Sequence, residues 1–151
     1  EFGNFYSCLS YGVRREVSIK LGFHQPSDSD AFLTKKIIFA IKELRNAVAH
    51  NDVIFDTRFS RSSIDKSLSS SLEIVTGIKS ITFKSITDYI ILVVYLLKCF
   101  GVPKGDMRRF VAEFQDNIET LRKQIPTSLF ARIVLTDTRP KLKSLQEYIR
   151  K

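Results

Sequence analysis

Leu33-Thr34-Lys35-Lys36-Ile37-Ile38-Phe39-Ala40-Ile41-Lys42-Glu43-Leu44-Arg45-Asn46-Ala47-Val48 is the stretch that decides the fold class. Leu33, Ile37, Ala40, Ile41, Leu44, Ala47 and Val48 recur at i, i+4, i+7, i+8, i+11, i+14 and i+15, the stripe of a helix buried on one side. Lys35, Lys36, Lys42 and Glu43 fall mostly off that stripe. Just upstream, Ser27-Asp28-Ser29-Asp30 follows Pro26 and offers several oxygens able to cap the first turn.

Working outward, the same period returns. Residues 4–21 place Phe5, Cys8, Leu9, Val13 and Val17 at near 3–4 spacing, weakened by Gly12. Residues 85–100 are apolar on nearly all sides, which predicts a central helix or one packed against a partner subunit. Gly101 suits its C′ position, and Pro103 completes the stop. A helix over 106–125 puts Phe110, Phe114, Ile118, Leu121 and Ile125 on one face and ends before Pro126. A shorter helix from Thr127 or Ser128 follows, and a last one after Pro140 turns Leu142, Leu145 and Ile149 inward. Residues 51–83 change character: they are rich in Ser, lack sustained periodicity and read as a long connection holding one short helix near 63–72. Only 80–83 competes as a strand. The expected fold class is all-α, a helical bundle formed by a single domain over 1–151.

Composition narrows the function classes. With 44% hydrophobic residues, 6 Gly and 4 Pro, the chain is neither disordered nor collagen-like. Cys8 and Cys99 are too few for a disulfide framework, which points to a reducing compartment, and both read as inert core thiols. Two His and two Cys spread along the chain give no zinc spacing, so no metal or cofactor is expected. His24 reads as a surface residue. The longest apolar run, residues 89–97, is nine residues against the roughly 20 of a membrane span. The chain opens Glu1-Phe2-Gly3 without a Met, as a piece of a longer protein would. The formal charge of +8 asks for an anionic partner, nucleic acid or an acidic membrane surface. The pairs Arg14-Arg15, Lys35-Lys36, Arg108-Arg109 and Arg122-Lys123 are individually solvated faces and together make up much of that excess.

The chemistry concentrates in Leu44-Arg45-Asn46-Ala47-Val48-Ala49-His50-Asn51-Asp52. Asn46 and His50 are i, i+4 neighbours. Arg45 and His50 stand about 140° apart around the helix and about 7.5 Å along it, so they can converge on a ligand at the helix end without pairing tightly. An imidazole that titrates near neutrality and a guanidinium that holds phosphate bidentately suit phosphodiester chemistry. The plainer alternative has His50 capping its helix, Arg45 solvated and Asn46 supporting the backbone. No Gly-rich phosphate loop, H-E-x-x-H or G-x-S-x-G motif competes.

R-N-x-x-x-H at a helix end resembles the R-x4-6-H motif of the HEPN superfamily of helical ribonucleases. The stretch over 44–59, with Phe2-Gly3-Asn4-Phe5 upstream, looks like the abortive-infection (Abi-like) branch and its L-R-N-x-x-A-H-N/H signature. Here Asp52-Val53 stands where many members carry an acidic-Arg pair, with Arg58 as a substitute for that Arg. The resemblance implies a metal-independent endoribonuclease of a prokaryotic abortive-infection or toxin–antitoxin system, cytoplasmic and without a membrane partner. Its RNA 2′-OH attack would use His50 as proton-transfer group, Arg45 as stabiliser of the phosphorane and Asn46 as orienter or phosphate ligand. It implies a homodimer with the motif helices facing each other, and sequence before the F-G segment. Lys42, Asn51 and Arg58 are weaker candidates for RNA contact. Two alternatives stand beside it: a non-catalytic RNA-binding module regulated by an antitoxin RNA or protein, and a structural helical dimer that leaves the charge unexplained.

Overall fold

The computed structural model describes residues 2–49, 59 and 64–151. These form eight helices and no strand: α1 Phe2–Cys8, α2 Tyr11–Lys20, α3 Leu33–Ala49, α4 Lys66–Thr76, α5 Ile86–Cys99, α6 Lys104–Gln124, α7 Thr127–Ile133 and α8 Thr138–Arg150. No described helix is long and apolar enough to cross a membrane.

The apolar helix is the centre of the fold. α5 packs against α3, α6 and α8, α6 packs along α8, and α3 carries α1 and α4 on its flanks. Ile91, Leu92 and Val94 of α5 are wholly enclosed, and Tyr89 meets the rings of Phe59 and Phe83 at 4.3 and 5.1 Å. α5 stops at Cys99. Gly101 takes φ 74°, and the Val102 N–H reaches back 2.9 Å to the Leu97 carbonyl. On α8, Leu142, Leu145 and Ile149 all point inward. That helix starts at Thr138 rather than after Pro140, because a proline in the first turn lacks only an N–H with no intrahelical partner there.

The N-terminal segment departs from expectation. The predicted single helix over 4–21 is two helices, broken at extended Ser10 (φ −64°, ψ 157°). α1 turns Gly3 and Tyr6 inward, which leaves Phe5 and Cys8 exposed rather than buried, and beyond the break Val13 of α2 is exposed as well. A polar hub decides which side faces in. The fully buried Tyr6 hydroxyl lies 2.9 Å from the carbonyl oxygens of Arg14 and Ala31 and 3.0 Å from Ser18 Oγ, itself 2.6 Å from Thr34 Oγ1. His24 is half-buried rather than on the surface, with Nδ1 enclosed and without a hydrogen-bond partner. Arg14 and Lys36 are also more than solvated cations. Arg14 donates to the Leu9 carbonyl and covers the Phe32 ring, and Lys36 holds Ser67 and Asp65 of the α4 entry.

Within the Ser-rich stretch, α4 runs further than the short helix expected near 63–72. Asp65 caps its start by accepting the Ser67 N–H at 2.8 Å, and Gly77 at φ 75° ends it. Residues 80–83 are not a strand, since Ser80 and Phe83 both take left-handed φ (62° and 57°). One carboxylate holds that loop. Asp88, wholly buried at the first turn of α5, accepts from the N–H groups of Thr82 and Phe83 at 3.0 and 2.9 Å.

Candidate functional site

Arg45 and Asn46 sit on the last turns of α3, which ends at Ala49. The turn is anchored from its other side: Ala47 is fully buried and Leu44 packs against the core. That fixed face leaves Arg45 exposed and Asn46 half-buried. Adjacent residues point about 100° apart on a helix, yet the long Arg45 side chain closes the gap. Its Nη1 donates to Asn46 Oδ1 at 3.1 Å. The amide is thereby oriented, with its NH2 directed away from the guanidinium, and the pair forms one polar donor surface beside the helix end. The exposed Lys42 adds a cation one turn earlier, 6.0 Å from the Phe39 ring centroid. Glu43, between them, accepts from the buried Tyr89 hydroxyl at 2.8 Å, which ties this part of α3 to α5.

The structure thus brings together Arg45 and Asn46, with Lys42 on the same helix. His50, Asn51, Asp52 and Arg58 lie outside the described residues. No group of three or more His, Cys, Asp or Glu able to hold a metal occurs among the described residues.

Electrostatics elsewhere separates structural groups from chemical ones. Burial pushes the Cys99 thiol above its usual range, which keeps it protonated and a poor nucleophile near neutrality. Burial likewise lifts Tyr95, and Tyr148 to about 12. Before α3, burial raises the Asp28 carboxyl, whose two oxygens accept the Leu33 N–H at 3.2 Å, while the Phe32 N–H holds Asp30 low.

Two features escaped the sequence reading. One is the buried ion pair of Lys141 Nζ with Asp88 Oδ1 at 2.7 Å, shared with Asp137 Oδ2 at 2.8 Å. Burial alone would lower Lys141, but hydrogen bonds and charge from Asp137 and Asp88 outweigh it and hold the ammonium above its ordinary value. A lone carboxylate opening the most apolar helix was the available signal. The other is a cleft of about 380 Å³ along α3, walled by Phe32 and Phe39 and edged by Lys35, Lys36, Glu43 and Asp65. Compared with protein families, curated proteins and solved structures, the chain finds no match.

Proposed function

We propose that this protein is a metal-independent endoribonuclease of the HEPN superfamily, of its Abi-like branch, and that it acts as a cytoplasmic effector of a prokaryotic abortive-infection or toxin–antitoxin system. The observation that carries this is the Arg45–Asn46 pair: an exposed guanidinium bonded to an amide at 3.1 Å, on the solvent side of the helix turn that leads into His50. The excess of eight positive charges supplies attraction for a polyanion.

In the proposed step, the ribose 2′-OH attacks the adjacent phosphorus as its proton passes to a base, and the P–O5′ bond breaks as the leaving oxygen takes a proton. The products are a 2′,3′-cyclic phosphate and a 5′-OH. His50 moves the proton, Arg45 holds the negative charge that accumulates on the phosphorane, and Asn46 orients imidazole or phosphate. One Arg and one His per chain make a sparse site. A homodimer with the motif helices facing each other would double it, since two-fold symmetry returns each residue once.

The test is incubation of the full chain with mixed RNA in EDTA. Wild type is expected to leave cyclic-phosphate ends, and His50→Ala and Arg45→Ala to lose about 10²–10⁴-fold in rate. RNA binding with no cleavage under any condition would replace this proposal with a non-catalytic RNA-binding module held by an antitoxin RNA or protein.

A further inference from the structure

The solvent side of α3 carries a second pattern. Phe32, Lys35, Phe39, Lys42 and Asn46 recur at i, i+3, i+7, i+10 and i+14, so they follow one face of the helix toward Arg45. Phe39 lies about 10 Å along the axis from Phe32, and Asn46 as far again. Both rings are half-buried and line the same cleft of about 380 Å³, with Arg14 covering one face of Phe32 at 4.2 Å. The Lys35 ammonium stands 5.4 Å from the Phe32 centroid and 5.9 Å from that of Phe39. α1 approaches Phe39 through Gly3, where a Cβ would meet the ring at 2.9 Å.

The chemistry of the rim decides the occupant. A bare phosphate is disfavoured, because three carboxylates, Asp30, Glu43 and Asp65, edge the cleft beside Lys35 and Lys36, and Asp65 already pairs with Lys36 at 3.3 Å. A flat aromatic ring whose edge carries N–H donors suits both the phenyl walls and the carboxylates. We propose that the cleft between Phe32 and Phe39 receives one unpaired base of the RNA, while the strand's phosphates pass Lys35 on the way to Arg45. The proposal rests on the ribonuclease reading for its ligand class. It makes Phe39 and Phe32 specificity-determining residues that select single-stranded over duplex RNA, since a paired base inside a stack offers no open ring face.

The experiment is fluorescence anisotropy with two labelled probes, a short unstructured RNA and a blunt duplex of the same sequence. Binding is measured on the full chain carrying His50→Ala, so that cleavage does not enter. Phe39→Leu and Phe32→Leu keep apolar bulk and remove the π-face. Each is expected to weaken single-strand binding about 5- to 100-fold and leave duplex binding within twofold, with Phe39→Trp restoring it. Circular dichroism and sedimentation accompany each variant. Equal loss for both probes, no loss for either, or a change of oligomeric state in place of a change in affinity overturns the proposal. RNA binding that depends on Phe39 in a chain that never cuts RNA would sink the ribonuclease reading and leave this one standing. Cleavage and binding indifferent to both phenylalanines would do the reverse. Failure to bind either probe removes both.

Discussion

Lys141→Met tests the buried pair on which the centre of the bundle turns. The lysine is 5% exposed and lies between Asp88, which is fully enclosed, and Asp137. Methionine fills a similar volume but leaves two carboxylates facing each other without a cation. Asp137 Oδ1 is already buried without a hydrogen-bond partner. Removing one member of a buried ion pair costs about 3–5 kcal/mol, most of it the cost of the charge left behind. At a slope of about 2 kcal/mol per molar urea, the unfolding midpoint should fall by about 1.5–2.5 M. Asp88→Ala should cost at least as much, for a different reason. Lys141 keeps Asp137, but the Thr82 N–H and the buried N–H of left-handed Phe83 lose their acceptor. The double variant should therefore cost less than the sum of the two, by at least about 1.5 kcal/mol. Urea melts of all four proteins read this cycle directly. A cost below about 1 kcal/mol for Lys141→Met, or strictly additive costs, would refute the assignment of Lys141 as the counter-charge of Asp88.

The same lysine gives a pH dependence. Its folded pKa is raised, so its contribution is complete below the unfolded value of about 10.4 and fades as pH rises through the folded one. Tm should fall in wild type above pH about 10.5 and fall less in Lys141→Met; Tyr95 and Tyr148, also raised, act in the same direction in both proteins. Tyr6→Phe should cost about 1–3 kcal/mol in urea melts, because it strips the hydroxyl that joins α1, α2 and the entry to α3. Two glycines should respond with opposite sign in thermal melts, although a Cβ meets nothing at either. Gly101→Ala forces a left-handed φ on alanine and should cost about 1–2 kcal/mol, whereas Gly12→Ala, in the first turn of α2, should gain up to about 1 kcal/mol.

Legibility followed the kind of force involved. α3, α5, α6 and α8 were readable as helices because apolar residues recur at the helical period, although Val48 of the α3 stripe is exposed and α6 buries Met107 and Val111 more deeply than Phe110 and Phe114. The end of α5 was readable because a left-handed C′ position demands glycine. α1 and α2 were misread because hydroxyls and not methyl groups set their phase; a stripe search gives no weight to Tyr6 or Ser18. Cys8 was misplaced for the same reason, since α1 turns Gly3 and Tyr6 inward. The Asp88–Lys141 pair joins residues 53 apart, and neither end has a local pattern that names the other. The site divides similarly. Arg45 and Asn46 were visible as polar residues off the apolar face, whereas the Phe32–Phe39 cleft needs the side chain of Lys36 and the arrival of Asp65 to give it walls.

How the charge excess acts depends on where the carboxylates are. Asp28, Asp30 and Asp65 accept backbone N–H groups ahead of α3 and α4, and Glu73 accepts the Ile81 N–H. Asp88 and Asp137 both converge on one buried lysine, and Glu119 answers Arg139 and Arg122. A carboxylate held by backbone dipoles remains charged but is fixed in place, and it cannot follow a mobile surface cation. Ion pairs contribute short-range dipoles that fade quickly with distance. The unpaired +8 acts as a net charge over the screening length of about 8 Å at physiological salt. The logarithm of affinity for a polyanion should then fall linearly with the logarithm of salt concentration between about 50 and 200 mM. If RNA affinity proved flat across that range, the basic surface would not be in the interface, and Arg45 would have to be judged on its local chemistry alone.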